Sequence, residues 1–159
     1  MKAIKITNPE YLGLLAESIQ KFVEKVQIPG IRYETLYTYF VESIRNGFVQ
    51  KQMHGSELEE FWVVMDDDEK PSAWGHWFKR GVPYNATVEC DYVFSWGDKR
   101  QALRCLIDEL EQFAARHRSP LIIGTSVNTI VFNHLVKVGK MKGYEVLNIN
   151  SINFIARKR

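Results

Sequence analysis

The chain has 159 residues, of which 45% are apolar and 25% are charged, which is the composition of one ordinary folded domain. That composition excludes a disordered tail, a collagen-like fibre and a disulfide-stapled miniprotein. The formal net charge of +2 is the remainder of 21 basic and 19 acidic residues. No overall field therefore steers the chain to nucleic acid, and we expect no nucleic-acid partner.

The hydropathy pattern predicts no membrane contact. Uncharged apolar stretches such as 61–65 and 121–124 are far shorter than the ~20 residues that cross a bilayer. Lys5 interrupts the first apolar residues, so the N-terminus does not have the pattern of a secretory signal. We therefore expect a cytoplasmic protein, in which Cys90 and Cys105 are reduced thiols of the core.

The first half of the chain predicts a strand, two helices and a hairpin. Asn8 and Pro9 form a cap and a first helical residue, and Gly47 lies where a left-handed cap would end the second helix. The acidic run 66–69 has the side chains of a turn between two strands of alternating pattern. The predicted elements are a strand at 2–7, a helix from Pro9 to about 28, a helix at 33–46 and strands at 60–65 and 72–78.

The second half predicts alternating strands and helices. Apolar spacing of three and four residues indicates the helices, and Gly143 marks the end of the last one. The predicted elements are a strand at 87–96, a helix at 98–116, a strand at 121–123, a helix at 128–142 and strands at 146–149 and 152–155. Without a repeat or linker, this order predicts one mixed α/β domain over residues 1–159.

Two segments carry a family resemblance. Residues 93–114 run from a strand through a turn into a helix, and residues 139–146 read Gly-Lys-Met-Lys-Gly-Tyr-Glu-Val. With the element order, they resemble the GNAT superfamily of acetyl-CoA-dependent N-acetyltransferases. The resemblance implies a mostly antiparallel central sheet flanked by about four helices, and acetyl-CoA as cofactor if the chain is catalytic. The cofactor-binding residues that it implies are Val93, Phe94, Ser95, Lys99, Arg100 and Arg104.

The chain departs from that family at its phosphate-binding turn. Asp98, Gln101 and Leu103 stand where the family has Arg or Gln, Gly, and Gly or Ala. Glycines there let backbone N–H groups approach a pyrophosphate closely, whereas an acid repels it. Gly139 stands where the family commonly has a tyrosine that protonates the departing thiolate, and Tyr144 is the candidate substitute.

Two carboxylates on the 87–96 strand are the best candidates for acid-base chemistry. Glu89 and Asp91 are two residues apart and share one face of the strand. The resemblance implies that one of them acts, through water, as base toward a substrate ammonium. The alternatives are a solvated groove or a structural pairing with an arginine. The candidate catalytic residues are therefore Glu89, Asp91 and Tyr144.

The remaining patterns do not predict a metal site or a catalytic group. The 66–69 run lacks the alternating ligands of a calcium loop, and the four histidines share no metal-ligand spacing, so we predict no metal. Alternation places Trp77 opposite Trp74 and Phe78, and tyrosines occupy more than one face of the second helix. These aromatic residues predict a surface for a protein partner or for a second copy of the chain.

Two functions are consistent with these patterns. The departures at the turn favour a protein that has kept the fold, lost catalysis and acts as a binding or assembly component. Diverged relatives of the family occur in bacteriophages, so the resemblance also implies that such a component could be a phage-encoded virion protein. The alternative is an active acetyl-CoA-dependent N-acetyltransferase with an atypical pyrophosphate loop.

Overall fold

A computed structural model describes residues 1–81, 86–96, 99–119, 121–125, 129–148 and 153–158. Its helices and strands follow the predicted order. The strands are β1 (Lys2–Lys5), β2 (Glu59–Met65), β3 (Pro71–Arg80), β4 (Thr87–Ser95), β5 (Leu121–Thr125), β6 (Tyr144–Asn148) and β7 (Asn153–Lys158). The helices are a 3₁₀ helix (Pro9–Leu15), α1 (Ala16–Val26), α2 (Tyr33–His54), α3 (Lys99–Arg116) and α4 (Thr129–Met141).

The strands form a sheet in the order β1-β2-β3-β4-β5-β7-β6. Strands β1 and β2, β5 and β7, and β6 and β7 pair antiparallel, whereas β4 and β5 pair in parallel. The mixed α/β class, with a mostly antiparallel sheet and four α-helices, is thereby confirmed. No helix among the described residues is long and apolar enough to cross a bilayer.

The chain divides into two compact units, and the single-domain prediction stays a prediction. The first unit comprises Met1–His76 and Phe94–Leu106. Its core is aromatic: the Phe61 ring lies 4.8 Å from that of Phe40 and 5.9 Å from that of Trp74, measured between centroids. Aromatic pairs at this separation stabilise a core beyond the area that they bury.

The start of the first predicted helix is confirmed, although its first turns are 3₁₀. The Asn8 side chain accepts a hydrogen bond of 3.0 Å from the backbone N–H of Glu10, and Pro9 occupies the first turn. The α-helix that follows ends at Val26, where Gln27 adopts a left-handed conformation with φ of 47°. It therefore ends before the predicted boundary at Pro29.

The predicted end of α2 is wrong. The helix continues past Gly47 to His54, and Gly55, with φ of 75°, supplies the left-handed cap. Gly47 is instead buried within the helix, where an added Cβ would lie 3.1 Å from the backbone oxygen of Glu59. Its small size thus lets α2 pack closely on β2. In the sequence, a glycine that is needed for close packing cannot be told from a glycine that ends a helix.

The second unit comprises Trp77–Val93 and Ile107–Arg159. Helix α4 ends as predicted before Gly143, whose φ is 83°. Strand β6 begins at Tyr144 rather than at residue 146, because Tyr144 already pairs with Lys158 of β7. The predicted connection at Asn150 and Ser151 lies outside the described residues.

Individual side chains confirm some predictions and correct one. Asp66 accepts hydrogen bonds from the backbone N–H groups of Asp68 and Lys70, as expected of a turn. Both cysteines are free thiols. Trp77, predicted to contribute to a partner surface, is fully buried, so its side chain cannot form part of an exposed surface.

Candidate functional site

The parallel pairing of β4 with β5 is short. It runs from Thr87 with Leu121 to Cys90 with Gly124. Beyond that pair the parallel register has no further partners in the described part of the chain, although β4 continues to Ser95. β4 therefore runs on for five residues past the last pair of this ladder. The candidate bases Glu89 and Asp91 lie on either side of this point.

Glu89 forms an ion pair with a residue of the preceding strand. Its Oε2 lies 3.3 Å from Nε of Arg80, and the guanidinium lies 5.0 Å from the centre of the Phe78 ring. The Glu89 side chain is 26% exposed and that of Arg80 is 66% exposed. The pairing with an arginine, one of the alternatives for this carboxylate, is therefore present, and the carboxylate still reaches solvent.

Asp91 acts electrostatically on its two neighbours. Burial raises the pKa of the Cys90 thiol strongly, and the Asp91 charge raises it further. Burial and Asp91 likewise raise the pKa of the Tyr92 hydroxyl. Both groups therefore keep their protons at neutral pH, so Cys90 is not an activated nucleophile. The two carboxylates therefore stay the candidate acid-base groups of β4.

Tyr144 lies away from Glu89 and Asp91. It donates a hydrogen bond to Glu111 of α3, and burial, followed by that acceptor, raises the pKa of its hydroxyl. Tyr144 pairs with Lys158 of β7, and the preceding residue of β7, Arg157, pairs with Leu121, the first residue of β5. Tyr144 therefore lies level with the start of β5. At ~4.8 Å per strand, the three strand spacings between β6 and β4 amount to roughly 14 Å. The structure does not bring Tyr144 together with the two carboxylates.

A cluster of charges holds Tyr144 in place. Lys142 forms ion pairs with Asp108 and, at 2.6 Å, with Glu111. Burial lowers the pKa of Lys142, but its hydrogen bonds to the two carboxylates outweigh that effect and raise it overall. These contacts fix the start of β6 on α3, which is a structural role.

Of the implied cofactor-binding residues, Val93 belongs to the second unit, and Phe94, Ser95, Arg100 and Arg104 belong to the first. Phe94 belongs to the aromatic core, with ring centroids 5.6 Å from Phe22 and 5.8 Å from Trp74. The Ser95 hydroxyl oxygen is buried and has no hydrogen-bond partner among the described residues. Such an atom is rare in a folded protein and is consistent with a missing polar ligand or water. Val93 is half-buried on β4.

The first turns of α3 present two cations to solvent. Arg100 and Arg104 are exposed and four residues apart, so they share one face of the helix. Of the two residues at the family's glycine positions, Gln101 is exposed and Leu103 is 4% exposed on the buried face. Asp98 and the side chain of Lys99 lie outside the described residues.

Neither Arg80 nor Glu111 stands out in the sequence pattern. Arg80 and Glu89 flank the loop between β3 and β4, and residues at such positions of adjacent strands face each other. That spacing was the available signal for Arg80. Glu111 belongs to α3, three elements before the strand that begins with Tyr144, and no local pattern links them. No three metal-ligating side chains are grouped in the described part of the chain.

No protein-family model and no curated protein sequence matches the chain. Solved structures match it over nearly its whole length. A probable acetyltransferase is 14% identical with a TM-score of 0.69, and the match covers 93% of this chain and 92% of that one. A GNAT-family acetyltransferase from Staphylococcus aureus Mu50 is 12% identical with a TM-score of 0.63, covering 98% and 97%.

A third similar structure contains a cofactor. The PaiA N-acetyltransferase from Thermoplasma acidophilum, in complex with coenzyme A, is 14% identical with a TM-score of 0.62, and the match covers 100% and 99% of the two chains. At these identities the likeness concerns the fold. The chain therefore has the fold of the GNAT superfamily, as the turn and helix segments of its sequence indicate.

Proposed function

We propose that the chain is an N-acyltransferase that moves an acyl group from acyl-coenzyme A to a primary amine. The observation that carries this proposal is the solvent-accessible carboxylate of Glu89, which lies one residue before the last described pair of the β4–β5 ladder. A strand that runs on past the described pairs with its parallel neighbour can offer backbone groups to an extended ligand, as a sheet edge does to a peptide.

The residues present fit a coenzyme A ligand. The orphaned Ser95 hydroxyl can bond a polar group of the cofactor's arm, and Val93 offers its backbone at the same part of β4. Arg100 and Arg104 supply exposed positive charge for phosphates. When bound, the cofactor supplies the acyl group in activated form, as a thioester.

Glu89 performs the proton transfer in this proposal. It accepts a proton from the acceptor's ammonium, directly or through one water molecule, and so frees the nitrogen lone pair. With the cofactor bound, that nitrogen would bond to the acyl carbon as the carbon–sulfur bond breaks. The nitrogen would release its second proton to solvent, and the departing thiolate would take up one proton from solvent. An amide and a free thiol are the products.

Ligand-induced stabilisation tests the cofactor. At about 100 times its dissociation constant, a ligand of the folded state stabilises it by ~2.7 kcal/mol, which raises the unfolding temperature by several degrees in a chain of this size. We expect this shift with acetyl-CoA and CoA and none with AMP, measured by thermal unfolding and titration calorimetry. No shift at millimolar acetyl-CoA would contradict the proposal.

A matched pair of variants locates the phosphate contacts. Arg100→Gln combined with Arg104→Gln should weaken CoA binding about tenfold, equivalent to ~1.4 kcal/mol. Lys137→Gln combined with Lys140→Gln removes the same charge from exposed positions of α4 and should leave the affinity unchanged. Equal effects of both pairs would indicate attraction by overall charge alone.

A second candidate function is a binding or assembly component without catalysis. It is supported by large apolar side chains that remain exposed in the first unit: Leu14 and Met53 at 71%, and Phe48 at 55%. Exposed apolar surface of this kind favours a protein partner or a second copy of the chain. Association in solution combined with no acetyl-CoA binding would establish this alternative, and the placement in a virion stays a prediction.

A further inference from the structure

The ion pair on the β3–β4 hairpin has a specific geometry. Arg80 directs Nε toward Glu89, with 3.3 Å between Nε and Oε2, and its guanidinium lies over the Phe78 ring at 5.0 Å. The ring contact constrains the plane of the guanidinium. Because the Arg80 side chain is 66% exposed, a ligand from solvent can reach the guanidinium.

The adjacent charges of Arg80 and Glu89 match a ligand that carries one negative and one positive group. A half-exposed ion pair contributes little to stability, so a ligand can exchange into it at low cost. An ammonium that approaches Glu89 for deprotonation comes within a few ångströms of the Arg80 guanidinium. A carboxylate next to that ammonium gains a charge-assisted hydrogen bond from Arg80. A ligand with further positive charge is repelled instead.

We propose that the acceptor is a zwitterionic amine of the α-amino acid class, with its ammonium on Glu89 and its carboxylate on Arg80. This inference rests on the proposed acyl transfer and adds the acceptor's chemistry to it. Arg80 is then the residue that selects the acceptor, and Phe78 is its platform. Polyamines, which lack a carboxylate, are excluded by the same charge.

Matched acceptors test this selection. Transfer from acetyl-CoA is followed by release of the CoA thiol, with a panel of uncharged L-amino acids, the carboxamide of each, and 1,4-diaminobutane. The wild type should favour the best amino acid over its own carboxamide by roughly tenfold to 100-fold in kcat/KM, the range of one charge-assisted hydrogen bond. It should favour the diamine least.

Variants at position 80 separate recognition from folding. Arg80→Gln should abolish the preference for the amino acid over its carboxamide. Arg80→Glu should reverse the order and favour the diamine, which an unfolded variant cannot do. Lys79→Gln removes a charge from the adjacent position of β3 and should keep the wild-type preference.

The outcomes distinguish the two proposals. Equal transfer to amino acid and carboxamide by the wild type, or an unchanged preference in Arg80→Gln, overturns the zwitterion inference and leaves acyl transfer in place. Acetyl-CoA binding without transfer to any amino acid of the panel has the same consequence. Failure of the wild type to bind acetyl-CoA overturns the proposed function itself, and the inference with it.

Discussion

Glu89 and Asp91 differ in surroundings although they share one face of β4. Glu89 has an arginine partner and a quarter of its side chain in solvent. The charge of Asp91 raises the pKa values of its neighbours Cys90 and Tyr92. A pair of like residues with unlike environments allows each to serve as the control for the other.

Substitution at these positions tests the base. Glu89→Gln keeps the size of the side chain and removes the proton acceptor, so kcat should fall by about 100-fold or more, the usual contribution of a general base. Asp91→Asn should retain most of the activity. Acetyl-CoA affinity, measured by calorimetry, should remain at the wild-type value in both variants. Full turnover by Glu89→Gln would remove it as the base.

At the scale of elements, periodicity predicted the order and type of the helices and strands, because apolar spacing directly reports the faces that each element buries. It failed where one residue type serves two purposes. Glycine ends helices, as Gly55 and Gly143 do with positive φ. Glycine also permits close packing, as Gly47 does within α2, and a single sequence does not distinguish the two uses.

Candidate site residues within one strand could be proposed from the sequence, whereas the contacts between elements could not. Glu89 and Asp91 stand out as candidates in the sequence because they interrupt a strand pattern that otherwise predicts burial. The partner Arg80 and the Tyr144 contact with Glu111 depend on the register and on helix packing. Both are tertiary features, which a local pattern does not encode.

Gly47 gives a stability prediction for the α2–β2 contact. Alanine favours a helix by up to ~1 kcal/mol over glycine, but its Cβ would lie 3.1 Å from the Glu59 oxygen, which β2 holds in place. Crowding a packed site costs ~1–3 kcal/mol, so Gly47→Ala should lower the free energy of unfolding by about 1 kcal/mol in urea. Gly13→Ala is the control, because no atom lies within 4 Å of its Cβ position. A more stable Gly47→Ala would show that the strand yields.

At the scale of the whole molecule, several groups hold their protons more tightly when the chain is folded. The pKa values of Cys90, Tyr92 and Tyr144 are raised chiefly by burial, and that of Lys142 by two carboxylates. Such groups stabilise the folded state below their unfolded pKa, and the stabilisation is lost as the pH rises through the folded value. The ordinary values of 9.0 for cysteine, 10.0 for tyrosine and 10.5 for lysine place the onset near pH 9.

The acid side lacks buried groups of this kind among the resolved shifts. Glu17 and Asp67 have lowered pKa values because of hydrogen bonds to Lys21 and to the N-terminal amine, respectively. Both are exposed, so solvent screens their contribution. We therefore expect the free energy of unfolding to decrease more steeply above pH 9 than between pH 6 and pH 4.

A substitution at Tyr144 measures the contribution of one group to the loss of stability at alkaline pH. Tyr144→Phe removes the hydroxyl that bonds Glu111, so the variant should be about 1 kcal/mol less stable than the wild type at pH 7. Above pH 10 its stability should decline less steeply, because the wild type loses up to ~1.4 kcal/mol per pH unit for each proton that unfolding releases. Urea unfolding from pH 7 to pH 11 measures both effects, with Tyr11→Phe, at a side chain that is 56% exposed, as the control. If Tyr144→Phe and the wild type declined in parallel, the alkaline loss would belong to Cys90, Tyr92 and Lys142, and the contact with Glu111 would contribute packing alone.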